Sequence, residues 1–254
     1  MGAGPMDVQR IAAEMDAELR ERGTPDRAEH EKAYLKSDLE HYGTTMPEIR
    51  FVVKSFKARL SGFGHDDVLG LVGALWSRPV HESRMAAVEV LQLNVGRLLP
   101  GDIVPLEGLL REGRTWALVD PLAASIVGPL VERYPVLGAE LDRWAVDGDF
   151  WLRRSALLAL LGALRRGEGD FGRFSRYADS MLEEKEFFIR KAIGWVLRET
   201  ARRRPDIVYE WLRPRAGRAS GVTLREAVKP LSEQQRAAIL AARRRRSLRS
   251  GKVP

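Results

Sequence analysis

Lys185-Glu-Phe-Phe-Ile-Arg-Lys-Ala-Ile-Gly-Trp-Val-Leu-Arg-Glu199 has apolar residues at helical spacing. On a wheel of 100° per residue, Ile189, Ile193 and Val196 fall on one side, and Thr200 continues the line. Lys191, Trp195, Arg198 and Arg202 fall on the opposite side, within roughly 60° of one another. Phe187 and Phe188 flank that second stripe. One face is therefore a core face, and the other sets aromatics among cations. Two readings of the second face are open. Trp195 packs under a neighbouring helix, or the face meets a polyanion that offers π-surfaces, which means nucleic acid.

Outward from this stretch, helix-period patterns run almost end to end, with no alternating strand pattern. Gly and Pro punctuate the chain at Gly23-Thr-Pro25, Gly62-Phe-Gly64, Pro100-Gly101, Pro135, Gly167–Gly169 and Pro205. Thr24-Pro25 suits an N-cap followed by proline in the first helical position. Thr45-Met-Pro-Glu48, Thr223-Leu-Arg-Glu226 and Ser232-Glu-Gln-Gln235 fit the capping box, in which side chains satisfy the free N–H groups of a first turn. About a dozen helices, at roughly 40 residues per pair, match the cadence of HEAT-type repeats. The expected fold is all-α, a HEAT-like solenoid with a concave basic face; a compact helical bundle is the alternative. Residues 1–246 are expected to form one domain and residues 247–254 a disordered basic tail.

Composition narrows the function. The chain has 254 residues and no cysteine, which excludes disulfides, thiol nucleophiles and thiolate metal sites. His30, His41, His65 and His81 lack any ligand spacing such as HExxH, so neither a metal nor another cofactor is expected. No apolar run approaches the ~20 residues of a membrane span, and no signal pattern opens the chain. The expected compartment is the cytoplasm, and the usage of Arg, Ala and Leu suggests a GC-rich bacterial source. The net charge of +7 hides an asymmetry: from Arg190 to Pro254 there are 18 Lys/Arg against 5 Asp/Glu, a balance of +13. Concentrated charge suits a surface facing an anionic polymer, although Arg243-Arg-Arg-Arg246 alone reads equally well as solubilising.

KEFFIRKAIGWVLRE resembles the late-helix motif of the AlkD family of DNA alkylation repair glycosylases. Ala33-Tyr-Leu-Lys36, leading through Gly43 into Pro47-Glu-Ile-Arg50, resembles that family's first repeat. Leu75-Trp76, followed by Glu82-Ser-Arg-Met-Ala-Ala-Val-Glu-Val-Leu-Gln92, resembles its Leu-Trp and Ala-Ala-x-x-x-Leu pattern. The likeness runs in order from about Ala33 to Lys229. It implies an all-helical enzyme that removes alkylated purines from duplex DNA as a monomer, without opening the lesion into a closed pocket.

Two stretches carry the expected chemistry. In Arg114-Thr-Trp-Ala-Leu-Val-Asp-Pro-Leu-Ala123, a helix places Trp116 and Asp120 on one face at i and i+4. Equally, Asp120-Pro121 alone reads as an N-cap with proline behind it. The resemblance makes Asp120 the catalytic carboxylate and Trp116 an aromatic wall, with Trp195 the second cleft tryptophan. Pro121 departs from the family pattern and is expected to kink the helix. In Asp149-Phe-Trp-Leu-Arg-Arg-Ser155 the resemblance selects Arg154 as a DNA contact, whereas the residues alone suggest a solvated basic edge. Lys191, Arg198, Arg190, Tyr34 and Arg225 complete the implied DNA-binding set. Thr45 stands where some members have a DNA-contacting glutamine, and its capping box explains it without DNA. Trp76 and Trp151 read as core. The rival readings are a DNA-binding member without catalysis and a helical scaffold that binds protein.

Overall fold

The computed structural model describes residues 5–249, with side chains from Asp7 to Arg245. The described residues are helical, with no strand beyond one isolated bridge between Glu40 and Val80. The chain divides into two compact units, Met1–Ile126 and Val127–Pro254.

Unit one holds α1 (Pro5–Glu21), α2 (Pro25–Leu35), α3 (Met46–Ser55), α4 (Lys57–Leu60), α5 (His65–Trp76), α6 (His81–Leu93), α7 (Ile103–Gly113) and α8 (Trp116–Leu122). Its core is aliphatic: α1 packs on α5, α5 on α6, and α8 on α6 and α7, around fully buried Met15, Leu19, Leu71, Leu75, Leu91, Leu110 and Leu118. Each such side chain contributes about 1.5–3 kcal/mol. A short turn joins α5 to α6, and two 3-10 turns, Val95–Arg97 and Pro100–Asp102, lead from α6 into α7. Trp76 is core, as expected, and its indole N–H donates to Glu112 at 2.8 Å.

Unit two holds α9 (Gly128–Arg133), α10 (Gly138–Trp144), α11 (Phe150–Leu158), α12 (Leu161–Arg165), α13 (Phe171–Met181), α14 (Phe187–Ala201), α15 (Pro205–Leu212), α16 (Gly221–Ala227) and α17 (Glu233–Arg249). Ile189, Ile193 and Val196 of α14 are fully buried, on the predicted face. The closest packing is of α14 on α16, and Gly194 permits it. A Cβ there would lie 3.0 Å from the Thr223 carbonyl oxygen and 2.9 Å from the Glu226 Cβ. α17 carries Arg243 to Arg246 in helical form and ends at Arg249, beyond Ser247; residues 250–254 of the expected tail lie outside the described residues.

The caps follow the sequence with one exception. Thr24 precedes Pro25 at the start of α2. Glu48 accepts from the Thr45 N–H at 2.9 Å and from its hydroxyl at 2.6 Å. Ser232 and Gln235 bond reciprocally. Thr223, however, is not an N-cap: Ser220 holds that position and accepts from the Thr223 N–H at 3.1 Å. Both hydroxyl residues suit a cap, and the earlier of the two takes the position.

Candidate active site and nucleic-acid surface

In unit one the candidate residues lie on α8 and α2. Thr115, in extended backbone, is the N-cap of α8, and its carbonyl accepts from Leu118 and Val119 at 3.2 and 3.0 Å. Asp120 therefore lies inside the helix, one turn after Trp116, and the N-cap alternative for Asp120-Pro121 does not hold. Leu118, Val119 and Leu122 are buried and anchor the helix, while Asp120 is half-buried. Pro121 sits inside α8, and the backbone widens directly after it into a π-helical turn, Ala123–Val127. A proline removes one ladder N–H and crowds the preceding turn, and a widened turn is one way to absorb that strain. Trp116 and Asp120 precede the wide turn, so their one-turn spacing survives.

Tyr34, 68% exposed on α2, presents its ring to Trp116, which is 37% exposed. The ring centroids are 6.1 Å apart and the planes nearly perpendicular, an edge-to-face pair. Beside the pair lies a cavity of about 380 Å³, lined in part by Met46, Ile49, His81, Met85, Ala117 and Pro121. Its wall is held by Glu82, a residue the sequence motifs do not single out. That carboxylate is fully buried and accepts N–H groups from Tyr42 at 3.0 Å, Gly43 at 2.7 Å and Thr44 at 3.3 Å. Gly43 takes a left-handed φ of 79°, and a Cβ would stand 2.2 Å from the Thr24 carbonyl oxygen, so only glycine fits. Below this loop His41 and His81 stack; burial holds His41 below the ordinary imidazole range and pushes His81 down to about 3, so both rings are neutral.

In unit two the predicted residues divide into two groups. Lys191 is exposed, 5.8 Å above the Phe187 ring, and Arg225 is exposed. Among the described residues neither has a carboxylate partner. Trp195 is half-exposed, and none of the described residues stacks a ring on it. The other three cations are engaged internally. Arg154 is 2% exposed, donates to the Phe188 carbonyl and lies 5.8 Å from the Phe188 ring centroid. Its burial corrects the solvated-edge reading of Arg153-Arg154. Arg190 donates to the Glu184 carbonyl at 2.6 Å. Arg198 pairs with Glu226 and, at 3.1 Å, with Glu199. Arg153 is also fixed, doubly bonded to Glu184 at 2.9 and 3.1 Å and donating to the Asp147 carbonyl at 2.7 Å. Trp151 is core and packs on Phe188, with 5.0 Å between centroids.

The family model of the DNA alkylation repair enzymes matches residues 15–231, most of both units, and the chain belongs to that family. Among solved structures, the chain is similar to a predicted DNA alkylation repair enzyme from Enterococcus faecalis. That match has a TM-score of 0.75 and 23% identity over 84% of this chain and 98% of the other. It is also similar to AlkD2 from Streptococcus mutans, with a TM-score of 0.56 and 16% identity over 81% and 99%. No curated protein matches significantly in sequence. The all-α helical-repeat fold and the AlkD resemblance are thus borne out. Among the described residues no helix is long and apolar enough to cross a membrane.

Proposed function

We propose that the protein is a DNA glycosylase that hydrolyses the N-glycosidic bond of purines alkylated at N3 or N7 in duplex DNA. The observation that carries this reading is the pairing of Trp116 and Asp120 one turn apart in α8, with Tyr34 edge-on to the indole. Alkylation at these nitrogens makes the base cationic and a good leaving group. Glycosidases of sugars use two carboxylates, one of them to protonate the leaving oxygen. A base that leaves without protonation needs only one. Asp120 stabilises the oxocarbenium-like sugar and orients the attacking water. Trp116 and Trp195 offer electron-rich π-faces to developing positive charge. Lys191 and Arg225, which have no carboxylate partner among the described residues, hold phosphate; Tyr34 borders the DNA. Arg154, which is buried, and Arg190 and Arg198, which are half-exposed, fix the start and flank of α14, the helix that presents Lys191 and Trp195. The protein acts as a monomer.

The test is release of methylated bases from alkylated duplex DNA. Asp120→Asn should lose about 100-fold or more in rate while still binding DNA, the usual effect of removing such stabilisation. A variant within a few-fold of wild type would remove Asp120 from the mechanism. Pro121 and the wide turn behind it favour one second reading, a DNA-binding protein without catalysis. Salt-dependent duplex binding by a wild-type protein that releases no base would establish that alternative.

A further inference from the structure

The polar atoms least accounted for in unit one lie under the Gly43 loop. His41 is 8% exposed, and neither of its ring nitrogens has a hydrogen-bond partner. A neutral imidazole carries one N–H, and a buried donor without an acceptor calls for a physical reason such as an ion. His81 stacks flat on this ring, with centroids 4.5 Å apart and planes 7° apart, so its position is fixed. Glu31 from α2 and Glu82 from α6 stand beside it. One donor atom from each of Glu31, His41 and Glu82 lies within 4.8 Å of the other two. In addition, α2 buries no side chain, so no core fixes the helix that carries Tyr34.

We propose that Glu31, His41 and Glu82 bind one divalent transition-metal ion of the zinc class, which pins α2 to the Gly43 loop and to α6. One imidazole and two carboxylates are a donor set such ions take. Calcium and magnesium take oxygen donors and would leave His41 unused. The two carboxylates balance the ion's charge, and a water completes the shell. Donors at bond lengths of ~2.1 Å stand about 3.4 Å apart around a tetrahedral ion, so a separation of 4.8 Å closes by about 1.4 Å. Glu31 is the donor free to move, because its side chain is half-exposed and its 2.6 Å pair with Arg27 is a weak i,i+4 surface contact. Glu82 stays in place under its three backbone N–H groups, and its carboxylate retains acceptor capacity beyond them. Glu31 and Tyr34 are three residues apart and share a face of α2. The ion therefore sets the Tyr34 ring against Trp116 and takes no part in bond cleavage.

The test uses untagged full-length protein, stripped with a chelator, dialysed and titrated with Zn²⁺ by calorimetry. One ion per chain is expected, with a higher midpoint of thermal unfolding in the presence of Zn²⁺. Glu31→Gln and His41→Phe should each weaken Zn²⁺ binding by about 100-fold, since even partners of a ligand cost up to that much. His41→Phe refills a buried site and could disturb packing, whereas Glu31→Gln changes a half-exposed side chain and leaves the fold intact. Cobalt as a probe should give visible absorption bands that Glu31→Gln abolishes. Absence of saturable Zn²⁺ binding, or Glu31→Gln binding like wild type, overturns the proposal. Base release by Asp120→Asn is read separately and is not part of this test.

Discussion

Arg153 and Arg154 are neighbours whose surroundings differ in kind. Arg153 spans an accessible turn and grips Glu184 with two nitrogens, while Arg154 is enclosed against Phe188. Breaking hydrogen bonds to a charged group costs about 1.5–3 kcal/mol. Removing a buried charged side chain also leaves a carbonyl unpaired and a void, for about 3 kcal/mol or more. Each kcal/mol lowers the melting point by roughly 2–4 °C in a chain of this size. Thermal melts should thus rank Arg154→Ala below Arg153→Ala, and Arg153→Ala below wild type. The opposite ranking would mean that the Phe188 carbonyl contact contributes little. Nothing in two adjacent arginines marks one as buried: a contact that encloses Arg154 comes from a backbone carbonyl 34 residues away. Arg198 is hidden from the sequence in the same way, since Glu226, which neutralises it, lies on α16. By contrast, Trp116 and Asp120 sit within one helix turn, so spacing gives their shared face once the stretch is helical, while the choice against an N-cap at Asp120 comes from the family resemblance.

At the scale of the element, helix faces are plain in the sequence and helix starts less so. The buried stripe of α14 follows from 3.6-residue periodicity, whereas Ser220 and Thr223 compete as caps with similar chemistry. The start of α5 carries a pH-sensitive contact. His65, its first residue, places Nε2 2.8 Å from the buried Asp102 carboxylate, and Nδ1 2.8 Å from exposed Asp66. The hydrogen bond to Asp102, then that to Asp66, raises its pKa above the ordinary 6.5. A raised folded-state pKa stabilises fully below the unfolded value and is lost as pH climbs through the folded one. In urea melts, the stability gap between wild type and His65→Gln should be widest near about pH 6 and shrink steadily above pH ~7. A gap that grows with pH would contradict this assignment.

For the whole molecule, charge is the property that matters most. The last 65 residues carry a balance of +13 and the rest of the chain −6, and α17 gathers four consecutive arginines behind Ile239, its fully buried anchor. Deleting residues 243–254 leaves that anchor in place and removes six cations. For every phosphate no longer neutralised, the plot of log affinity against log salt should flatten by about 0.9. The truncated protein is expected to bind every duplex more weakly, with a slope smaller by roughly 2–5, and to release bases at an unchanged single-turnover rate. A changed choice of lesion would instead make the segment part of the reacting site. The overall composition of the fold, all helix, is plain from periodicity. Its division into two units is not, because no Gly- or Pro-rich linker separates them: the boundary at Ile126 and Val127 falls inside a helical turn.

The six tryptophans are distributed unevenly. Trp76, Trp144, Trp151 and Trp211 are at most 7% exposed, whereas Trp116 and Trp195 meet solvent. The accessible indoles are thus the two assigned to the reaction. The protein carries its own optical label: a water-soluble quencher such as iodide can collide with these two fluorophores and spares the four that report packing. Tyr34, edge-on to Trp116, lies within range to pass its excitation to that indole. Quenching can therefore follow occupancy of the candidate site in the unmodified protein, with no dye attached.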